Sequence, residues 1–281
     1  MSAQAPVSKG ANSPAEFEWI ETPMTKPLSE KLKLPLARLL LVAIVLLLWE
    51  FSAGRFFDKF WTSAPSDILK RLWEWIASGD LFFHLGITSQ EMIIGFFIGA
   101  VLGAVVGFIL GRWSFGAKLL DPFIISIYSL PKIALAPLFI LWFGIGIEMK
   151  IIFAAMIVFF LVFFNTYAGV KNVDEDLLDS IRLMGATEKQ IVAKVIIPSA
   201  LNWVFVGLKL SVPYALIGAV IGEITASNKG IGFLIQYSAG QFDTAGTFAA
   251  VFVLMAISVS LNALLLKLES RLLRWQKKNT N

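Results

Sequence analysis

The chain has 281 residues, of which 57% are hydrophobic and only 16% charged, and its mean hydropathy is +0.74. A soluble domain carries about 25% charged and roughly 45–50% apolar residues, so an ordinary water-soluble enzyme is excluded. With no cysteine and a single histidine, His84, the chain lacks the residues for a disulfide, an iron–sulfur cluster, a thiolate zinc site, a cysteine nucleophile or a paired-histidine metal site.

Residues 1–33 are polar and rich in Pro, Ser and Lys, and read as a tail. From there the chain alternates apolar runs with short charged connections. About 20 apolar residues in a helix cross a bilayer, and six segments qualify: 34–54, 92–111, 122–147, 151–170, 195–222 and 244–266. Backbone polarity forbids irregular structure facing lipid, so these runs are predicted as helices. The expectation is an all-α integral membrane protein with a transmembrane domain over 34–268 and a basic tail over 269–281. The first run is read as a span rather than a cleaved leader, because its polar preface is too long for a signal peptide.

Between the first two spans, 65–79 reads as an amphipathic helix, with Ile68, Leu72 and Ile76 at every fourth position beside Trp73 and Trp75. His84 is placed in the loop that follows. The second span carries glycine at every fourth residue: Gly95, Gly99, Gly103, Gly107 and Gly111. On a helix these form one slowly drifting stripe without side chains, a groove for close approach of another helix, in this chain or in a second copy. In the third span Pro131 and Pro137, and in the fifth Pro213, remove backbone donors and predict kinks or breaks.

The connection over 171–198 reads as a helical hairpin. Acids open the segment from Asp174, apolar Leu177, Leu178, Ile181 and Met184 follow at three- and four-residue spacing, and Gly185 fits the residue just past a helix end. Thr187 with Gln190 three residues later matches a capping box that opens the next helix. Of the 24 Lys and Arg residues, 18 fall on the side of this loop and of both termini, and 6 fall opposite. Positive residues stay inside, so both termini and the hairpin are predicted to be cytoplasmic. The basic charge is dispersed through loops and tails, which argues against a nucleic-acid partner.

Asp179-Ser180-Ile181, three residues, Gly185, nine residues, then Val195-Ile196-Ile197-Pro198 resembles the EAA-loop signature of permease subunits in ABC importers. The string SLPKIALAPLFILWFGIG at 129–146, with Gly222-Glu223-Ile224 and Gly230-Ile231-Gly232-Phe233-Leu234-Ile235, resembles the subgroup serving aliphatic sulfonates, taurine, nitrate and related small solutes. The likeness extends over roughly 49–268. Asp179 stands where the family usually has Glu, and Ser180-Ile181 replace two alanines.

This resemblance implies a type I importer fold in a bacterial inner membrane. It implies two permease copies forming a homodimer, two cytoplasmic ATPase subunits that carry ATP and Mg, and an extracytoplasmic solute-binding protein. Carried over by position, Asp179, Ser180, Ile181, Met184, Gly185, Ala186 and Pro198 lie in the loop that couples to the ATPase. No Walker-type glycine loop, Ser/His/Asp group or metal-ligand cluster is present, so no catalytic residue, bound cofactor or metal is expected in this chain. Lys132, Asn165, Lys209, Tyr214 and Glu223 are polar within apolar runs and are candidates for the solute path. The competing class is an ion-coupled secondary transporter, for which intramembrane acids would carry the coupling.

Overall fold

The computed structural model describes residues 28–272, so most of the predicted N-terminal tail and the basic stretch 273–281 lie outside the described residues. Residues up to Leu48 form one unit and Trp49 onward a second. The first is the helix α1 (Leu28–Ser52) as far as Leu48, with leucines such as Leu36, Leu40 and Leu47 exposed, as a lipid-facing helix requires.

In the second unit, α2 (Lys59–Thr62) is one turn capped by Asp58, whose side chain accepts from the Phe60 N–H. Helix α3 (Pro65–Ser78) starts on proline, whose missing N–H costs nothing at a first turn, and ends at Gly79 with φ +84°. The Ile68–Leu72–Ile76 stripe packs inward: Ile68 is buried, and Leu72 and Ile76 join Leu81, Ile231, Leu234 and Ala250 in one apolar cluster. Leu69 and Trp73 remain exposed.

Helix α4 (Asp80–Arg112) is 33 residues, about 50 Å at 1.5 Å per residue. It absorbs His84 and Glu91 ahead of the apolar run, so His84 lies on a helix rather than in a loop. Helix α5 (Ser114–Ser129) is followed by a 3₁₀ turn over Lys132–Leu135 and by α6 (Ala136–Phe143). The two halves bend by 84°, with Pro131 in the break and Pro137 in the first turn of α6. Helix α7 (Ile147–Lys171) leads into α8 (Glu175–Leu183) and α9 (Glu188–Ile191). A π turn at Val192–Ile196 joins α9 to α10 (Ile197–Ala226), which passes through Pro213 without a break. The chain ends in a short α11 (Ile231–Gly240) and in α12 (Thr244–Leu272), which runs four residues past the predicted end of the domain at Leu268.

Among the described residues five helices are long and apolar enough to cross a membrane, and the number is six when the bent pair α5–α6 is counted as one span. Helix α7 is the centre of the bundle, with Phe153, Ala154, Val158 and Val162 almost without exposure. Its neighbours on two sides are α4 and α10. Five of the six glycines of α4, all but Gly86, face α7: a Cβ on Gly95 would meet Ala154, on Gly99 Val158, on Gly103 Val162, on Gly107 Thr166 and on Gly111 Val170. Partners advance along both chains together, so α4 and α7 run parallel. Gly207, Gly218 and Gly222 of α10 meet Asn165, Ala154 and Lys150 of α7 in the opposite order, so α10 is antiparallel to both. Without side chains between them these backbones approach closely, which gains dispersion contact where lipid supplies no hydrophobic drive.

Candidate functional site

At one end of the bundle the segment 171–198 forms a compact hairpin. Asp174 caps α8, its carboxylate accepting from the N–H groups of Asp176 and Leu177. The helix closes in a Schellman arrangement: the Ala186 N–H donates to the Ile181 carbonyl at 3.2 Å and the Gly185 N–H to that of Arg182 at 2.9 Å. Gly185 has φ +85° and open space around its α-carbon, so glycine is required there by backbone conformation and not by crowding. Thr187 then makes both halves of a capping box with Gln190. Pro198 has no N–H to return to the carbonyl four residues back, and the π turn just before it widens the helix by one residue and absorbs that loss.

The hairpin is anchored on its inner side. Ile181 and Ala186 rest on the buried Val170, Val173, Ile191 and Ile196. Arg182 Nη1 holds Asp179 Oδ1 at 2.9 Å and Arg182 Nε holds Glu188 Oε1 at 3.2 Å, while Glu188 Oε2 accepts from Arg112 at the end of α4 at 3.1 Å. Asp179 and then Glu188 hold the Arg182 guanidinium above its ordinary range. Exposed pairs of this kind orient rather than stabilise. On the outer side Leu183 is 90% and Met184 85% exposed, two apolar side chains at the tip that none of the described residues covers. Ile181, Met184, Gly185 and Ala186 line one open cleft of about 380 Å³ with Gln190, Lys194 and Val195.

The five polar residues singled out within the spans are not brought together. Lys132 lies in the α5–α6 break, with its Nζ donating to the Tyr128 carbonyl at 3.0 Å and standing 4.2 Å from the Tyr128 ring centroid. Asn165 donates to the Leu161 carbonyl of its own helix and abuts Gly207. Lys209 pairs with Glu269 of α12 at 2.8 Å. Tyr214 is exposed. Glu223 is buried, its two oxygens taken by Thr88 Oγ1 at 2.7 Å and the Gly232 N–H at 2.6 Å.

Glu223 belongs to a buried polar cluster at the end opposite the hairpin. Lys150 Nζ donates to Glu91 Oε1 at 3.1 Å and to Ser227 Oγ at 2.7 Å, and His84 Nδ1 accepts from the Gly230 N–H at 2.9 Å. Apart from Glu223, these residues escape a search for charges inside apolar runs, because Glu91 and Lys150 are the residues that end the runs. The signal was present: an acid directly before the second span and a base directly before the fourth, two helices that start at the same end.

Residues 95–274 match the model of the family described as "Binding-protein-dependent transport system inner membrane component". The chain is 33% identical to the formylaminopyrimidine transport permease protein ThiX of Halalkalibacterium halodurans, over 84% of this chain and 94% of that one. It is 32% identical to the putative aliphatic sulfonates transport permease protein SsuC of Bacillus subtilis, over 85% and 87%. To the riboflavin transport system permease protein RibX of Chloroflexus aurantiacus it is 33% identical, over 84% and 89%. In fold it is similar to an inward-facing structure of the MetNI methionine ABC transporter, with a TM-score of 0.57 at 20% identity over 71% of this chain and 95% of that one.

Proposed function

The chain belongs to the family of binding-protein-dependent transport system inner membrane components, and from that premise we propose how its parts serve import. It is a multi-pass membrane permease of an ABC importer. Two copies form the path, the hairpin of each faces the cytoplasm and docks on an ATPase subunit, and a binding protein delivers solute at the opposite face. ATP and Mg stay on the ATPase, and this chain holds no cofactor and catalyses no reaction of its own.

The observation that carries this reading is the hairpin tip. Leu183 and Met184 stand exposed on a turn whose shape is set by Gly185 and whose base is braced by Arg182, Glu188 and Arg112. A rigid apolar knob fits a groove on a partner. The flexible thioether of Met184 adapts to a surface that changes shape. Because the π turn and α10 continue from the hairpin as one rod over Glu188–Ala226, a displacement at the tip is carried the length of the bundle. ATP can shift the permease between states only through contacts that differ in the two forms of its partner, and the tip supplies such contacts. No relative named above is described as an ion-coupled carrier.

The solute is a small organic molecule of the kind named for the relatives, with an anionic sulfonate favoured. Lys132 supports the anionic choice: it puts an ammonium in the bend of a span, with its hydrogen bond to a carbonyl of its own chain and no carboxylate partner among the described residues. The test is reconstitution with the ATPase and binding protein in proteoliposomes, following uptake of a labelled alkanesulfonate and a labelled pyrimidine. ATP-dependent sulfonate uptake, lost when Met184→Asp is introduced at the tip, is the expected result. Uptake by the permease alone, driven by an ion gradient, overturns the proposal.

A further inference from the structure

Helix α11 starts on three backbone N–H groups that its own chain does not satisfy locally. All three are taken by side chains of other helices: Gly230 N–H by His84 Nδ1 at 2.9 Å, Ile231 N–H by Thr88 Oγ1 at 2.8 Å, and Gly232 N–H by Glu223 Oε2 at 2.6 Å. Thr88 in turn donates to Glu223 Oε1 at 2.7 Å. A Cβ at Gly230 or at Gly232 would run into the Glu223 carboxyl group, so both glycines form a cradle for it. The turn leading into α11 is held from a third helix, since Lys150 donates to Ser227 Oγ, which donates to the Lys229 carbonyl at 2.7 Å. The side chains of the same first turn are apolar, and Ile231 and Leu234 pack with Leu81, Ala250 and the α3 stripe.

We propose that Glu223 is a positioning residue that latches α11 to α4 and α10, and that each import cycle releases this latch at the end opposite the hairpin. The inference rests on the importer reading given above. Its physical basis is the difference between polar and apolar closure. Apolar packing loses free energy in proportion to the area wetted. A carboxylate, an ammonium and a hydroxyl recover most of their loss when water replaces their partners, because burial had cost them their hydration. A joint made of such groups is directional when dry and inexpensive to open to water. One oxygen, Glu91 Oε2, is buried without a donor among the described residues and gains from water outright. Hydrogen bonds of this geometry are either made or broken, which gives the two discrete arrangements a gate needs.

The experiment uses the whole transporter in nanodiscs, comparing ATP hydrolysis with and without solute-loaded binding protein. Glu223→Gln is expected to assemble normally, to raise basal hydrolysis, and to reduce the stimulated-to-basal ratio by about fivefold or more. Thr88→Val, which keeps shape and removes one donor, should move the ratio the same way by less. An unchanged ratio in both variants overturns the latch, and so does a proportional fall of both rates that tracks loss of assembled complex. A wild-type permease that fails to engage the ATPase at all removes instead the reading on which the latch rests.

Discussion

Glu91 and Lys150 form an ion pair at 3.1 Å with side chains 0% and 6% exposed, across the interface between α4 and α7. Each would be costly alone in that position, since a charge removed from water is retained only when paired and hydrogen-bonded. The pair sits above the glycine ridge, beyond Gly95 against Ala154, and sets the register of the two parallel helices where the ridge runs out.

Breaking this pair from one side is therefore the more damaging change. Lys150→Met should destabilise the bundle by about 3–5 kcal/mol, because it leaves Glu91 buried and uncompensated. Adding Glu91→Gln to Lys150→Met should restore most of that loss. Thermal unfolding of the purified permease in detergent orders the three proteins, and a double variant no better than the single would show that charge pairing is not what holds this joint.

The glycine ridge predicts a contrast within one helix. A Cβ on Gly103 would press on Val162 and on the backbone of α7, so Gly103→Ala should cost about 1–3 kcal/mol or more through forced separation of α4 and α7. Gly86 lies in the same helix with open space around it, and Gly86→Ala should stabilise by up to about 1 kcal/mol through helix propensity alone. Yield of monodisperse protein and melting temperature in detergent report both signs.

The ridge and the hairpin were legible because each is written in local spacing. Glycine at every fourth position specifies a face whatever lies opposite, and Thr187 with Gln190 caps its helix using residues three apart. The break at Pro131 was legible for the same reason, since proline removes its own donor. Pro213 shows the limit: the same chemistry sits inside an unbroken α10, where packing against α7 and α12 absorbs it. The buried cluster was not legible, because Thr88, Glu223 and Gly232 meet across 135 and 9 residues of chain and no local pattern announces the meeting. Reading charges only inside apolar runs also hides a pair such as Glu91 and Lys150, whose members end the runs they border. Helix α11 was hidden too, its ten residues being too few for a span and its N-terminus capped entirely by other helices.

Thr187 offers a test confined to the hairpin. Its side chain accepts from the Gln190 N–H while the Thr187 N–H donates to Gln190 Oε1 at 2.8 Å. Thr187→Val keeps the shape and deletes the acceptor, at a cost of about 1 kcal/mol to the start of α9. Amide hydrogen exchange over 186–192 should speed up several-fold while exchange in α4 and α7 stays as in the parent protein. Uniform exchange across the chain would mean that the hairpin is not an independently breathing element.

Gly185 separates shape from fold. Its φ of +85° lies where a side chain clashes with its own backbone, yet beyond its two chain neighbours no atom of the described residues would stand within 4 Å of a Cβ there. Gly185→Ala should cost about 1 kcal/mol, and Gly185→Val more, because a β-branched residue resists that region further. Gly185→Asn should be milder, since asparagine tolerates the left-handed conformation. None of the three touches the core, so the bundle should melt near its normal temperature in each. The hairpin turn, however, must open to relieve the strain, which moves Leu183 and Met184 away from the positions set by the Schellman bonds. Binding-protein-stimulated ATP hydrolysis should therefore fall in the order Asn, Ala, Val, with Val lowest. Equal hydrolysis in all three would show that the partner reads the tip's composition and not its shape.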